Sequence, residues 1–311
     1  MSIATQVRAP QAIDGFAVVA MIALTFSWGL NGVLIKLANA GFSPILVMMG
    51  RSVVAAVLVY GWCRLRGIAI FVSDGTLWPG VLTGAFFAVE FVLIFFGYDH
   101  TTVARGSLMV NTMPFFVLIG AWLFLGESVT PAKITGLLLA FAGVVLVFSD
   151  RLTLPDSSAL MGDLMLLVAA VFWAATTIVI KGSKLAGAGA EKVLLYQLAV
   201  SAVIALPLLP FGGALVREVT PVAVGAFLAQ AVYIVAITYL VWFWLMRHYP
   251  ASSLSSFTFL SPAFGVLCGA AILGEPLSWR IFAALALIAA GLYVVNRPPR
   301  MKPGPEDVSH A

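Results

Sequence analysis

One carboxylate, Glu90, stands inside an apolar run between Ala85 and Phe96, where a charge is costly unless it is paired or used. Two kinds of chemistry are open to it. It could take up and release a proton and so couple a transport cycle. Alternatively, Arg51 or Arg105, which fall at comparable depth, could hold it in a structural ion pair. Other apolar runs carry indoles at Trp28 and Trp173 and amides at Asn31 and Asn111, with hydroxyls at Ser107, Thr177, Tyr233, Tyr239, Ser255 and Thr258. Such groups suit reversible binding of a small polar or zwitterionic ligand with an apolar side. They equally suit bonds between helices. Bond-breaking chemistry has less support. There is no His-Glu-x-x-His and no Gly-x-Gly-Asp to partner Tyr98-Asp99, nor any P-loop or glycine-rich nucleotide fingerprint. Cys63, Cys268, His100 and His248 have no metal-ligand spacing, so neither a metal nor another cofactor is expected.

The elements that must position these groups are membrane helices. Apolar residues make up 62% of the chain and charged ones 10%, and several runs approach the roughly 20 apolar residues that cross a bilayer. Nothing alternates as barrel strands would, so the fold class is an all-α integral membrane protein. Ten spans can be drawn, at about 16–37, 44–63, 77–97, 102–125, 131–148, 161–181, 191–209, 222–246, 251–273 and 279–296. The net charge of +4 is better explained by topology than by a nucleic-acid partner. With both termini in the cytoplasm, eleven Lys and Arg residues gather on that side, from Arg8 to Lys302. Arg151, Arg217 and Arg280 are left on the other. The first span lacks a small-residue cleavage site and reads as a retained helix of an inner (plasma) membrane protein.

The spans fall into two copies of one unit. A shift of 148 residues superposes His100 on His248, Ser107 on Ser255, Pro114 on Pro262 and Leu125-Gly126-Glu127 on Leu273-Gly274-Glu275. A shift of 145 places Trp28 on Trp173 and Lys36 on Lys181. Residues 1–15 form an N-terminal segment, 16–148 the first repeat, 149–160 a linker, 161–296 the second repeat and 297–311 a tail. Five spans per repeat is an odd number, so the second copy enters the membrane from the opposite face. Inverted repeats around a shared central site are the arrangement from which alternating access follows. A channel is the alternative, and an intramembrane enzyme a weaker one.

The ten-span duplicated plan, the tryptophans followed eight residues on by lysine, and proline followed by Leu-Gly-Glu together resemble the drug/metabolite transporter superfamily. Within it they are similar to the EamA branch, which includes the YddG-type exporters. The resemblance implies a central cavity lined mainly by spans 1, 3, 4, 6, 8 and 9, with spans 5 and 10 peripheral. It also implies export of small metabolites or amino acids.

Further expectations concern single positions. Pro114 and Pro262 lie mid-span and should kink their helices, freeing the carbonyls of Val110 and Thr258. Lys36 and Lys181 sit at helix ends, where they can snorkel to water. Glu127 and Glu275 sit at turns and should cap. Gly80-x-x-x-Gly84 and Gly265-x-x-x-Gly269 permit close helix approach. Ala283, Ala284, Ala286, Ala289, Ala290 and Gly291 give span 10 a small-residue surface that could support packing or a homodimer.

Overall fold

The computed structural model describes residues 12–152, 156–274 and 277–297. Among the described residues, ten apolar helical elements make up the bundle. They are α1 (Gly15–Gly41), α2 (Pro44–Leu65), α3 (Leu77–His100), α4 (Val103–Val110 and Met113–Leu125), α5 (Pro131–Phe148), α6 (Ser157–Gly182), α7 (Ala190–Ala205, continued by a 3₁₀ stretch Leu206–Gly212), α8 (Pro221–His248), α9 (Ala251–Ser256, Phe257–Phe259 and Leu260–Leu273) and α10 (Arg280–Asn296). Among the described residues, nine are long and apolar enough to cross a membrane, and α10 is a shorter apolar helix.

Local chemistry sets the ends. Asp14, Ser43, Thr130, Asp156 and Thr220 each accept a backbone N–H three residues on, and Pro44, Pro131 and Pro221 follow their caps directly. Gly126 and Gly274, a repeat-related pair, end α4 and α9 at φ +70° and +69°, which only glycine adopts without strain. Glu275 lies outside the described residues.

Helix pairing shows the symmetry. α3 packs on α6 as α8 packs on α1, α3 on α7 as α8 on α2, and α4 on α6 as α9 on α1. In each case adding five to one helix and removing five from the other yields the partner contact. α5 and its equivalent α10 pair with each other. There, a Cβ placed on Gly136 would lie 2.7 Å from the Gly291 carbonyl, and one on Gly143 would lie 2.8 Å from that of Ala284. Rising numbers in α5 thus meet falling numbers in α10, so these equivalent helices run antiparallel. The fold is two inverted five-helix repeats. Ala284 and Gly291 of the small-residue surface are buried against α5, whereas Ala286, Ala289 and Ala290 are exposed.

Both proline-bearing helices are interrupted. α4 breaks at Asn111-Thr112, with Pro114 opening its second segment, and α9 narrows to 3₁₀ at Phe257–Phe259 before Pro262. α8 carries a π-helical stretch, Gln230–Thr238, that the apolar pattern gave no reason to expect. Such widened turns recur where a helix must reorient side chains.

Candidate functional site

A cavity of about 760 Å³ lies between the repeats. The broken helices aim into it, because an interrupted ladder is tolerated at membrane depth only where its groups face a cavity or a partner. At one mouth stand Ile35, Lys36 and Asn39 of α1, Pro44 of α2, Tyr98 of α3, Phe148 of α5 and Gly269 of α9. At the other end, on the face that carries Asp14, the lining stops at Ile180 and Met246. These two are the repeat equivalents of Ile35 and Tyr98, which line the opposite mouth. The ends of the cavity differ in packing. Lys36 is exposed, whereas Met246, Tyr249 and every residue from Ala251 to Leu260 are buried. The cavity therefore opens on the face opposite the N-terminus.

The closed end is held by contacts between the halves and across α8 and α9. Lys181 donates to the carbonyls of Met246, at 2.7 Å, and Tyr249. It therefore does not snorkel to water as its helix-end position suggested. Glu127 accepts from the Ala251 N–H at 2.8 Å and from Ser252, and Lys133 lies 3.7 Å from it. A carboxylate there complements the N-terminus of α9. Tyr249 donates to Asp14, and burial together with that carboxylate raises the Tyr249 pKa above the usual phenol range.

Trp28, Asn31, Glu90, Ser107, Asn111, Trp173, Thr177, Tyr239, Thr258 and Pro262 all line the cavity. The rings of Phe87, Glu90's neighbour on the same face of α3, Tyr239, Trp28 and Trp173 form an edge-to-face chain with centroids 6.2, 6.4 and 6.4 Å apart. The Trp28 indole donates to Thr238 at 3.1 Å, at the end of the π segment.

Two expected substrate-site positions, Tyr233 and Ser255, are not in the wall, and neither is the kink residue Pro114. Tyr233 is 43% exposed on the outside of α8 and shares a 2.8 Å hydrogen bond with Ser27. Ser255 is fully buried and donates to the Ser252 carbonyl within the first turn of α9, and Pro114 is buried in the packed interior. The lining also departs from the set implied by the resemblance, since α2, α5 and α7 contribute Pro44, Phe148 and Gln197.

Neither arginine joins Glu90 in an ion pair among the described residues. Arg105 pairs with Asp163. Arg51 is buried, its guanidinium 4.4 Å from the Phe91 ring centroid. Glu90 itself is 4% exposed, and its Oε2 has no hydrogen-bond partner among the described residues. Asn31 Oδ1, Asn39 Oδ1, Thr176 Oγ1, Ser261 Oγ and both polar atoms of Gln197 share that condition among the described residues, and all five residues line the same cavity. Each buried group left so costs about 1–3 kcal/mol, so a concentration of them marks a place where a ligand or water completes the bonding. Among the described residues no cluster of His, Cys, Asp and Glu could hold a metal.

Two stretches, residues 15–149 and 160–297, each match the EamA-like transporter family. This chain belongs to that family. Among curated relatives, the uncharacterized transporter YvbV of Bacillus subtilis is 26% identical over 88% of this chain and 89% of its own. A probable amino-acid metabolite efflux pump of Salmonella typhimurium is 27% identical over 90% of this chain and 94% of its own. The pseudopaline exporter CntI of Pseudomonas aeruginosa is 26% identical over 60% of this chain and 63% of its own. A solved crystal structure covering 91% of this chain superposes with a TM-score of 0.77 at 19% identity, which speaks to the fold. As an EamA-like transporter the protein has a small-molecule substrate and works in a membrane.

Asn39, Thr176, Gln197 and Ser261 were missed in the sequence. Each is a short polar side chain in an apolar helix, indistinguishable there from interhelical glue. Only three-dimensional packing shows that they lack a partner.

Proposed function

We propose that this protein is a secondary carrier that exports small amphipathic metabolites, amino acids among them, by alternating access across the inner membrane with both termini cytoplasmic. The observation that carries the reading is the cavity itself. Its lining includes the repeat-equivalent pairs Ile35 with Tyr98 and Ile180 with Met246, yet it continues past the first pair to the exposed Lys36 and stops at the second, which is buried. Two inverted halves that exchange conformations would open the second end as the first closes. The moving units are residues 16–148 and 161–296.

In this reading the aromatic chain of Phe87, Tyr239, Trp28 and Trp173 holds the apolar part of the substrate. Asn31, Ser107, Asn111, Thr177 and Thr258 meet its polar part. The interruptions before Pro114 and Pro262 let α4 and α9 bend as the ends change places. Glu90, which lines the cavity and has no salt bridge among the described residues, is the coupling group. It takes a proton in one state and releases it in the other.

Reconstituted protein in liposomes tests this. Uptake of a radiolabelled amino-acid mixture should saturate and be accelerated by unlabelled mixture trapped inside. Flux that rises linearly with concentration and shows no counterflow would make the protein a channel.

A further inference from the structure

Gln197 stands in the cavity wall with neither its Nε2 nor its Oε1 bonded, and it is 1% exposed. An amide left so is penalised for a donor and for an acceptor at once. Leucine or methionine would fill a similar volume without that penalty, so the fold of the empty protein gives no reason for a glutamine.

How α7 reaches the wall is visible in its packing. It lies outside the helices expected to line the cavity, but Gly80 and Gly84 of α3 draw it in. A Cβ on Gly80 would lie 2.4 Å from the Tyr196 ring, and one on Gly84 would lie 2.6 Å from Val200 and 2.8 Å from the Tyr196 carbonyl. The glycine pair thus allows contact that larger residues would block. One turn beyond Gln197, Ser201 donates to Ser52 of α2 at 3.2 Å and fixes the rotation of α7. With α7 held on two sides, Gln197 is kept in the cavity wall, in a lining that includes Phe87, Tyr239, Trp242 and Phe243.

We propose that Gln197 is a specificity-determining residue. Its amide pairs, donor to acceptor and acceptor to donor, with a planar carboxamide-type edge on the substrate, whose apolar part lies against the rings. The inference rests on the cavity being the substrate site and names what that site selects.

Purified full-length protein in detergent would be titrated with benzamide and with acetophenone, which keeps the ring and carbonyl but has no N–H. Indole fluorescence reports occupancy, because Trp28, Trp173 and Trp242 line the cavity. Benzamide should bind at least about tenfold more tightly than acetophenone, since a site built for a hydrogen bond rejects the analogue that lacks it. Gln197→Leu and Gln197→Met should bind both probes alike and melt at a higher temperature than the parent, their unsatisfied amide being gone. Equal affinities in the parent, absent benzamide binding, a preference that survives in the variants, or variants that melt lower would each overturn the proposal. Counterflow of the amino-acid mixture, run on the same proteins, separates the two readings. Counterflow without a benzamide preference sinks the role of Gln197 alone, whereas its absence in the parent sinks the carrier.

Discussion

Trp28 and Trp173, equivalent positions of the two repeats, meet edge to face at the centre of the bundle with ring centroids 6.4 Å apart. A residue and its own repeat image can touch only near the axis that relates the halves, so this pair marks where the two units share one chamber. Trp28→Phe keeps a ring but removes the 3.1 Å hydrogen bond to Thr238, and should cost about 1 kcal/mol of stability. Trp28→Ala also removes the edge-to-face contacts and leaves a void, and should cost about 3–5 kcal/mol and abolish transport. Melting in detergent and initial uptake rates measure both. A Trp28→Ala protein that melts and transports normally would remove the pair from the account.

The α5/α10 seam depends on absent side chains. A Cβ on Gly291 would lie 2.5 Å from the Gly136 carbonyl, and backbone there cannot give way cheaply. Gly291→Leu should therefore destabilise by about 3 kcal/mol, as overpacking does. Chemical denaturation compared with the exposed Ala290→Leu checks this. Equal stability of the two variants would contradict the close approach.

At the closed end, Lys181→Met removes the donor to the carbonyls of Met246 and Tyr249. The N-terminal face should loosen, so that a cysteine at Met246 reacts several-fold faster with a soluble maleimide added to that face. An unchanged rate would mean that Lys181 is not part of the seal.

Asp74 ties the α2–α3 loop to α7 through Lys192 at 2.8 Å, and that hydrogen bond, followed by the one from Thr76, holds its carboxyl well below the usual range. A depressed folded pKa adds stability that is present above the unfolded value, near 3.8, and lost as pH falls through the folded one. Parent protein should thus lose thermal stability between about pH 4 and pH 2 more steeply than Asp74→Asn. Superimposable pH profiles would show that the loop tie does not contribute.

Glu90→Gln keeps shape and removes the titrating group. Transport driven by a proton gradient should fall at least about tenfold and lose its pH dependence, while counterflow without a gradient persists. A variant with parental pH dependence would leave Glu90 without a coupling role.

Much of the architecture was legible because it is written in periodic signals. Apolar runs gave the helices, the paired Pro and Leu-Gly-Glu marks gave the repeat, and an odd span number gave the inversion. Side-chain direction was not legible. The π segment Gln230–Thr238 turns Tyr233 outward and carries Thr238 to Trp28, and no residue type within it announces the change. Ser255 looked like Ser107 by alignment, but the asymmetry between open and closed ends buries one and leaves the other in the wall. Gln197 was hidden for a different reason. Its helix reaches the cavity only through the Gly80 and Gly84 contact, and that pair reads in sequence as mere packing.

The central claim is that the halves are inverted about a shared chamber, and sidedness at equivalent positions tests it most directly. His100 and His248 occupy the same place in the two repeats, at the ends of α3 and α8. Single cysteines at each, with Cys63 and Cys268 replaced by alanine, would be exposed to an impermeant maleimide on sealed vesicles of known orientation. The predicted result is labelling from opposite sides of the membrane; labelling of both from the same side would contradict the account.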